Sequence, residues 1–540
     1  MPAPPPPSAE HASDGGQDRV AQPASGGAVV VSDAGPAEIA SPARASGRPA
    51  RWLPGLAVVS IVTSTMLMMI ISSLGPSAGE PPLPFVRSGG LPFFTRDHPG
   101  PRLVSYGLWF AVVAGAVGVA AGLLAVRRGW RPRPRLLITG SLIGVILLMV
   151  LPPIGSADMV DDAIHGRIAA LGHDVYTMSP GQLQRTGDRV AAYAPKVWRN
   201  TDSPYGPLTT ATEWLAAKLV GDSLGGIIFW LKVWNALAFL AVALALDRFF
   251  RSDATRRARA HLLWTVNPVM LLAVMAGGHN DVLGVIFGLL GVLALRRLDF
   301  KDGLAAGLLI GLAIAVKAPY GLFGLGLVIA AWRSPRAIAG LALGALAVDL
   351  TGYALAGWQS VTSQLADTGR SSLIQPWHLV AQVVPYLGRA SITQALALAG
   401  SVVLLGLLFW GLPAGPPGLP GLRPVLAVTL AWLVWSPHQR AWYDVMIFPL
   451  LALMPATRLD WILLARALTG AIGQLPGRII SNKLLPPELV HLDQLVYVYL
   501  APLALIVLAA ALTWLCVTRQ FGDDMALSRP RLSAPQLSPP

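Results

Sequence analysis

Runs of about twenty apolar residues recur along this chain, and they limit its possible folds more than any other feature does. The first three cover residues 52–74, 103–126 and 136–151. Apolar residues make up 54% of the 540 residues and charged residues only 13%, which is too little charge to cover a soluble protein of this length. The runs are too long for membrane β-strands and lack their strict alternation. The pattern therefore predicts an all-α, polytopic bundle of roughly 12–14 transmembrane helices.

The net charge of +13 is concentrated at the ends of the apolar runs. The densest basic clusters lie at 127–135 and 256–259. Cytoplasmic loops of membrane proteins carry such an excess of Lys and Arg. This distribution argues against a nucleic-acid partner. It predicts a multi-pass protein of the plasma membrane, with both termini in the cytoplasm and the long polar stretch 154–206 on the outer face.

Composition divides the chain into three regions. Residues 1–50 are rich in Pro, Ala, Gly and Ser, and we expect them to form a disordered cytoplasmic arm. Residues 51–520 form the transmembrane domain, and residues 521–540 resemble the first arm and are predicted to be a disordered cytoplasmic tail. The single cysteine, Cys516, excludes an internal disulfide and is expected to be inert packing.

The outer stretch 154–206 carries the densest set of side chains that could take part in catalysis or ligand binding. If its start is helical, Asp158, Asp161, Asp162 and His165 share one face, because residues at i, i+3, i+4 and i+7 do. Crowded carboxylates repel one another, which raises the proton affinity of at least one and suits it to act as a general base towards a hydroxyl. A solvated acidic helix start and a divalent metal site are the alternatives. The spacing does not select among the three.

Two further outer features have both a structural and a functional interpretation. In the turn 204–207, two prolines flank Tyr205 and Gly206, which enforces a rigid geometry that a simple entry into the membrane does not need. Farther on, His279, Asn280 and Asp281 separate two apolar runs. Either Asn280 or Asp281 caps the next helix, or the polar side chains lie beside the acidic stretch and face a phosphate or a sugar.

Two cations also stand out at the predicted outer face. Lys317 is alone within largely apolar sequence, and such residues usually face a polar cavity or extend to the membrane interface. Near a bound phosphate it would neutralise charge. Arg440 lies within residues 438–444, which form either part of a site or an interfacial belt of aromatic and basic residues.

These residues resemble the pattern of the actinobacterial polyprenol-phosphomannose-dependent α-(1→6)-mannopyranosyltransferases, which are GT-C class membrane glycosyltransferases. That pattern has an Asp early in the first long outer loop, a Gly eight residues later, Gly-His-Asn-Pro-Tyr, a Pro-Tyr-Gly-Pro turn, and an Asn-Pro followed by His-Asn-Asp. The positions that match are Asp158, Gly166, residues 172–176, residues 204–207, Asn267-Pro268, His279-Asn280-Asp281 and Lys317-Ala318-Pro319. The resemblance covers residues 156–320, with an echo at Trp442-Tyr443.

Three places depart from the family pattern. The aromatic positions expected after the loop Asp are occupied by Val160 and Asp162. The Asn-Pro of the first motif is Asp174-Val175, and a Pro-Trp-Tyr is Ala441-Trp442-Tyr443. These positions lie near the sugar site that the resemblance implies, so they bear on the sugar and the acceptor more than on the fold.

The resemblance implies an inverting enzyme that moves mannose from polyprenyl-phosphomannose to a mannoside acceptor, in the α-(1→6) elongation of a lipomannan-type glycan at the outer face. Asp158 would be the catalytic base. The helical spacing, the predicted topology and the resemblance together give as candidate substrate-binding residues Asp161, Asp162, His165, His173, Tyr176, Tyr205, His279, Asn280, Asp281, Lys317 and Arg440.

The implied partners are a lipid-linked sugar donor, a glycolipid or mannan acceptor, and membrane lipid. No cofactor is expected, and a requirement for a divalent metal stays open. The rival class is a transporter or flippase of a lipid-linked sugar. The long acidic outer stretch favours the enzyme, because the essential polar groups of a transporter lie nearer the membrane midplane.

Cysteine labelling at Gln182 tests the predicted topology. In a Gln182→Cys variant, a membrane-impermeant thiol reagent should label intact cells, because position 182 lies in the stretch predicted to be outside. The unmodified chain, whose only thiol is Cys516, is the control. Labelling that requires the membrane to be opened would invert the topology.

Overall fold

The computed structural model describes residues 52–75, 77, 91–95, 97–367, 372, 374–438, 440–475 and 485–522. All of them belong to one contact unit, Pro49–Pro540. A second unit, Met1–Arg48, lies outside the described residues, as do the rest of the predicted N-terminal arm and residues 523–540 of the predicted tail.

Regular structure in the described part of the chain is helical, and no β-strand occurs there. The first ten α-helices are α1 (Trp52–Ser73), α2 (Pro101–Arg127), α3 (Pro134–Val150), α4 (Asp158–Ala170), α5 (Pro180–Arg185), α6 (Pro207–Val220), α7 (Leu224–Phe249), α8 (Ala254–Ala260), α9 (Pro268–Leu271) and α10 (Asp281–Ala294). The remainder are α11 (Phe300–Val316), α12 (Gly321–Ala330), α13 (Pro335–Ala356), α14 (Gln359–Asp367), α15 (Pro376–Val383), α16 (Ala390–Gly411), α17 (Leu422–Trp435), α18 (Phe448–Leu453), α19 (Leu459–Gln474), α20 (Pro487–Gln494) and α21 (Ala501–Thr518).

Short 3₁₀ and π segments join some of these helices. The 3₁₀ helices are Ala191–Tyr193, Ala318–Tyr320, Pro385–Gly388 and Ala441–Met446, and the π-helical segments are His261–Thr265, Leu272–Ala276 and Leu495–Leu500. Through them α8 and α9 become one segment, Ala254–Ala276, and α20 and α21 become another, Pro487–Thr518.

Seven helical segments are long and apolar enough to cross a membrane. Five shorter apolar helices of 10–17 residues accompany them, so that twelve apolar helices are found among the described residues. The prediction of an all-α, polytopic membrane protein is confirmed. The helices that form the loop region, α4, α5 and α6, are not among the twelve.

Glycine residues let neighbouring helices approach closely. Glycine is abundant in the apolar runs, and close packing of membrane helices favours such small residues. The closest pairing is between α11 and α13. A Cβ atom at Gly307 of α11 would lie 2.3 Å from the carbonyl oxygen of Leu341, and one at Gly344 of α13 would lie 2.5 Å from that of Leu304. No larger residue fits at these positions without separating the two helices.

The segment Ala254–Ala276 is irregular where it approaches the loop region. Asn267 accepts a hydrogen bond from the backbone N–H of Val269 (3.0 Å) and precedes Pro268, so the helix restarts there. The second π-helical segment, Leu272–Ala276, follows directly. Such π segments often occur at functional sites. Here the segment ends at Ala276, and residues 277–280 connect it to the start of α10.

A buried ion pair joins the ends of α8 and α19. The guanidinium of Arg259 donates to both carboxylate oxygens of Asp460 (2.6 and 2.9 Å) and to backbone carbonyls of residues 451–454. The side chains of Arg259 and Asp460 are 6% and 0% exposed. Arg127 of α2 lies 3.6 Å from the same carboxylate. The Asp460 carboxylate and the Arg259 guanidinium therefore compensate each other's charge, as burial requires.

Removing the Asp460 charge should therefore destabilise the bundle. Asp460→Asn leaves Arg259 buried without its counter-charge, and breaking a buried pair in this way costs about 3–5 kcal/mol. We expect a clear fall in the thermal unfolding midpoint of the purified protein in detergent. The control is Asp222→Asn, which breaks an exposed pair with Arg189 and should match the wild type. Equal midpoints for Asp460→Asn and wild type would show that the pair is not structural.

Candidate active site

Helix α4 places the acidic face that the sequence predicts, and the helix begins at Asp158. Gly166 sets its distance from α6, because a Cβ atom there would lie 2.4 Å from the carbonyl oxygen of Glu213. This close packing buries much of α4, including Asp161, Asp162 and His165. Asp158 keeps 14% of its side chain exposed. The acidic helix start is thus largely covered by protein rather than solvated.

A polar cavity of about 180 Å³ lies against this face. Its walls come from α4, from the loop that precedes α6, from Lys317, and from two distant parts of the chain near residues 363 and 440. The lining residues are Asp158, Asp161, Asp162, Trp198, Asn200, Thr201, Asp202, Pro204, Tyr205, Lys317, Ser363, Ala366, His438, Arg440, Trp442 and Tyr443.

Asp158 is held at the cavity by an aromatic frame. The indole N–H of Trp198 donates to its Oδ1 (3.0 Å), and Nε2 of His279 lies 3.8 Å from its Oδ2. The His279 ring stacks on Trp442, with centroids 3.8 Å apart and planes 15° apart, and its Nδ1 lies 2.6 Å from the carbonyl oxygen of Ala273. Burial lowers the pKa of His279, so a neutral imidazole faces the carboxylate.

Asp162 lies behind Asp158 and is almost fully buried. Asn280 donates to its Oδ2 (2.9 Å), and Tyr205 hydrogen-bonds to the same carboxyl group. Burial, followed by the charge of Asp158, raises the pKa of Asp162 well above its ordinary value. Asn280 makes no side-chain capping bond to α10. The side chain of Asn280 therefore does not cap α10. Its amide group instead links the start of α10 to α4.

Lys317 occupies the opposite wall, between two aromatic rings. It is the last extended residue before the 3₁₀ helix Ala318–Tyr320. Its Nζ lies 4.9 Å from the ring centroid of Tyr205 and 4.8 Å from that of Tyr443, which are favourable cation–π distances. Asp281 lies 3.8 Å away and accepts a hydrogen bond from Tyr320 (3.0 Å). The side chain is 9% exposed and lines the cavity.

The segment around residue 440 closes the cavity. The Arg440 guanidinium lies 5.4 Å from the ring centroid of Trp198. Trp442 and Tyr443 are buried, at 7% and 2% exposure, so this segment is not an interfacial belt. Its aromatic rings contact His279 and Lys317 instead.

Two of the predicted site residues lie away from the cavity, and one is behind it. His173 is exposed and Tyr176 bonds to Thr210 (2.9 Å), and both border a different hollow on the far side of the 204–207 turn. His165 is fully buried, 3.7 Å from Asp161, and burial lowers its pKa to about 4. The other predicted residues either line the cavity or contact a residue that does.

The structure adds residues that sequence reasoning did not select. Trp198, which holds Asp158, stands in a polar stretch where a tryptophan is itself unusual, and this signal could have been used. Glu213 gave no signal, because it occupies an ordinary helical position on α6. It is fully buried behind Asp161 and Asp162, and its carboxyl oxygens have no hydrogen-bond partner among the described residues.

The side chains of α4 are directed mainly to hydrogen-bonding and charged neighbours on other parts of the chain. Within the described part of the chain, no three His, Cys, Asp or Glu side chains converge as metal ligands would. The carboxylates of α4 are directed instead to Trp198, Asn280, Tyr205 and His165. The group forms a hydrogen-bonded acidic wall of the cavity.

Fold and cavity together define a multi-pass helical membrane protein with an acidic wall facing two cations. The family described as alpha-(1->6)-mannopyranosyltransferase, N-terminal domain, matches residues 60–334. This is just over half of the chain, and the chain belongs to this family. His438, Arg440, Trp442 and Tyr443 of the cavity wall lie beyond the matched part.

Named relatives agree with this assignment. The chain is 27% identical over 192 residues to alpha-(1->6)-mannopyranosyltransferase B of Corynebacterium glutamicum, covering 34% of this chain and 32% of that protein. It is 27% identical over 174 residues to alpha-(1->6)-mannopyranosyltransferase A of the same organism, covering 32% of this chain and 34% of that protein. To an alpha-(1->6)-mannopyranosyltransferase of Mycobacterium tuberculosis it is 26% identical over 156 residues, covering 29% of this chain and 26% of that protein. The alignments thus span about a third or less of each relative, and no solved structure matches the chain.

The buried Glu213 makes the stability of the protein depend on pH. Burial, with the charges of Asp162 and Asp161, raises its pKa well above the ordinary value. The unfolded chain loses this proton above about pH 4.3, whereas the folded protein keeps it, so stability falls as pH rises through that range. Glu213→Gln removes the difference. Its thermal midpoint should exceed that of the wild type increasingly from about pH 5 to pH 8.

Thermal unfolding in detergent at several pH values measures this effect. The exposed Asp222→Asn variant is again the control and should follow the wild type at each pH. A Glu213→Gln midpoint that lies below wild type and falls further with rising pH would mean that Glu213 is ionised in the folded protein.

Proposed function

We propose that this protein is an inverting mannosyltransferase of the GT-C class. It would move mannose from polyprenyl-phosphomannose to a mannoside acceptor, extending an α-(1→6)-linked lipoglycan at the outer face of the plasma membrane. Family membership and the printed names of the relatives support the mannosyl-transfer chemistry. The lipid-linked donor, the inversion and the outer-face location are the further content of the proposal.

One observation carries it: a single cavity presents a partly exposed carboxylate, Asp158, together with the cations Lys317 and Arg440. Transfer from a sugar phosphate needs both, because the attacking hydroxyl must lose a proton while the leaving phosphate gains charge. The Asp158 carboxylate accepts one hydrogen bond from Trp198 and lines the cavity.

Asp158 then accepts the proton of the acceptor hydroxyl group while the oxygen of that hydroxyl group forms a bond to the anomeric carbon of the donor sugar. The bond from that carbon to the phosphate oxygen breaks, and polyprenyl phosphate departs with the electron pair. This single displacement converts a β-linked donor into an α-mannoside. Lys317 and Arg440 stabilise the charge on the departing phosphate, as preorganised cations in a poorly hydrated site do.

The neighbouring acids have different roles because their surroundings differ. Asp162 is deeply buried and carries hydrogen bonds from Asn280 and Tyr205, and its raised pKa favours the protonated form. A protonated carboxyl group is a poor base. It keeps a second negative charge out of the cavity and fixes the Tyr205 ring against Lys317. The division of roles between two carboxylates therefore follows from burial.

Transfer of radiolabelled mannose from polyprenyl-phosphomannose to a short α-(1→6)-dimannoside, by the purified protein, tests the proposal. Wild-type protein should form a trisaccharide with an α-linkage. Asp158→Asn should lower kcat by about 10²–10⁴-fold, since the amide keeps the shape of the side chain but accepts no proton. Asp162→Asn is the matched control on the same helix face and should lose much less activity, because the amide replaces a neutral group.

Three results would contradict the proposal in different ways. Full turnover by Asp158→Asn together with an inactive Asp162→Asn would transfer the role of base to Asp162. A β-linked product would exclude the single displacement. Movement of the labelled lipid across a vesicle membrane without any transfer would identify a flippase.

A further inference from the structure

A second hollow lies on the far side of the 204–207 turn from the cavity. We name it the lateral groove. It has a volume of about 910 Å³ and is lined by α6, α11, α13 and the residues that follow α4. His173, Asp174 and Trp214 stand exposed at one part of it, and Ala347 and Leu355 of α13 belong to its apolar wall.

The groove and the cavity share one thin wall. The backbone N–H of Ser203 donates to the carbonyl oxygen of Val175 (3.0 Å), and that of Gly206 donates to Val316 (2.9 Å). Pro204 and Tyr205 line the cavity, whereas Pro207 and Leu208 line the groove. The 204–207 turn therefore borders the cavity with its first residues and the groove with its last.

The chemistry of the groove differs from that of the cavity. Its nineteen lining residues carry one formal charge at neutral pH, that of Asp174, and include no Lys or Arg. A phosphate would find no cation here, while Lys317 and Arg440 serve the cavity. Asp174, His173 and the ring of Trp214 suit uncharged hydroxyl groups, because a carboxylate and an imidazole accept or donate hydrogen bonds and an indole offers an apolar face.

The apolar wall also has a definite depth. Residues 347–356 of α13 extend about 14 Å at 1.5 Å per residue, which is about half of a 30 Å hydrocarbon core. Little of the helix is covered by the rest of the protein, since only 17% of its apolar 18-residue window is buried. On the proposed topology this wall faces the outer leaflet. Its depth matches an acyl chain confined to one leaflet.

We propose that the lateral groove binds the lipid anchor of the acceptor, an acyl-anchored glycolipid with an uncharged glycan, and directs its terminal mannose towards the cavity. The inference rests on the proposed function, and it assigns the two lipid substrates to opposite sides of the 204–207 turn. The anionic donor occupies the cavity with the cations, and the neutral acceptor approaches from the groove.

Filling the groove with Ala347→Trp tests this. The donor is held constant, and acceptor kinetics are compared for an α-(1→6)-dimannoside with a diacylglycerol anchor and for its methyl glycoside. KM for the anchored acceptor should rise about tenfold, the equivalent of roughly two buried methylene groups. The methyl glycoside should be unaffected. Leu346→Trp, which adds the same ring beside the groove, is the control.

A second measurement does not depend on turnover. An anchored dimannoside with a diazirine in its acyl chain should label the peptide 335–356 of the wild type on irradiation, and Ala347→Trp should lose that label. Labelling elsewhere, or equal labelling of both proteins, would overturn the assignment. An increase in KM for both acceptors in Ala347→Trp would also overturn the assignment. The same holds for an increase that depends on the chain length of the donor lipid. Absence of transfer to either acceptor by wild type would refute the proposed function, while the labelling still decides the groove.

Discussion

The hydrogen bond from Asn280 to the buried carboxyl group of Asp162 holds the candidate site together. It joins the start of a membrane helix, α10, to a helix of the loop region, α4, across 118 positions of sequence. A buried carboxyl group without such a partner is costly, so the two helices are fixed relative to each other. His279 and Asp281 flank Asn280, and they consequently reach Asp158 and Lys317.

Several buried charged side chains are paired with opposite charges elsewhere in the bundle, whereas acidic side chains are crowded together at the site. Arg259 and Asp460 form a closed pair whose donors are directed to carboxylate or carbonyl oxygens, and Arg466 pairs with Asp444 between α19 and the segment after α17. Such pairs fasten helices together. At the cavity, in contrast, acids are crowded beside Asp158 and the orphaned Glu213 lies behind them. Crowding of buried acids of this kind shifts pKa values and is typical of functional sites.

Two features that the sequence left ambiguous were decided by packing. Both the cap at Asn280 and the belt around Arg440 were adequate explanations from local sequence. The structure uses Asn280 to bind Asp162, and it buries Trp442 and Tyr443 against His279 and Lys317. No local pattern could have predicted this choice, because each alternative satisfies the same local rules and differs only in which distant residue is present.

The sequence by itself determined the helices, the membrane class and the acidic face of α4, because hydrophobic runs and helical spacing are local properties. It also grouped Asp158 with residues 279–281 and Lys317 through resemblance to a family. Only the tertiary structure placed Trp198 beside Asp158 and Arg440 beside Trp198, hid Glu213 behind the acidic face, and placed His173 and Tyr176 on the far side of the 204–207 turn. The physical reason is that these relations are contacts between distant parts of the chain. The missing side chain at Gly166, for example, lets α4 pack closely against α6 and so helps to bury Glu213, which no local spacing reveals.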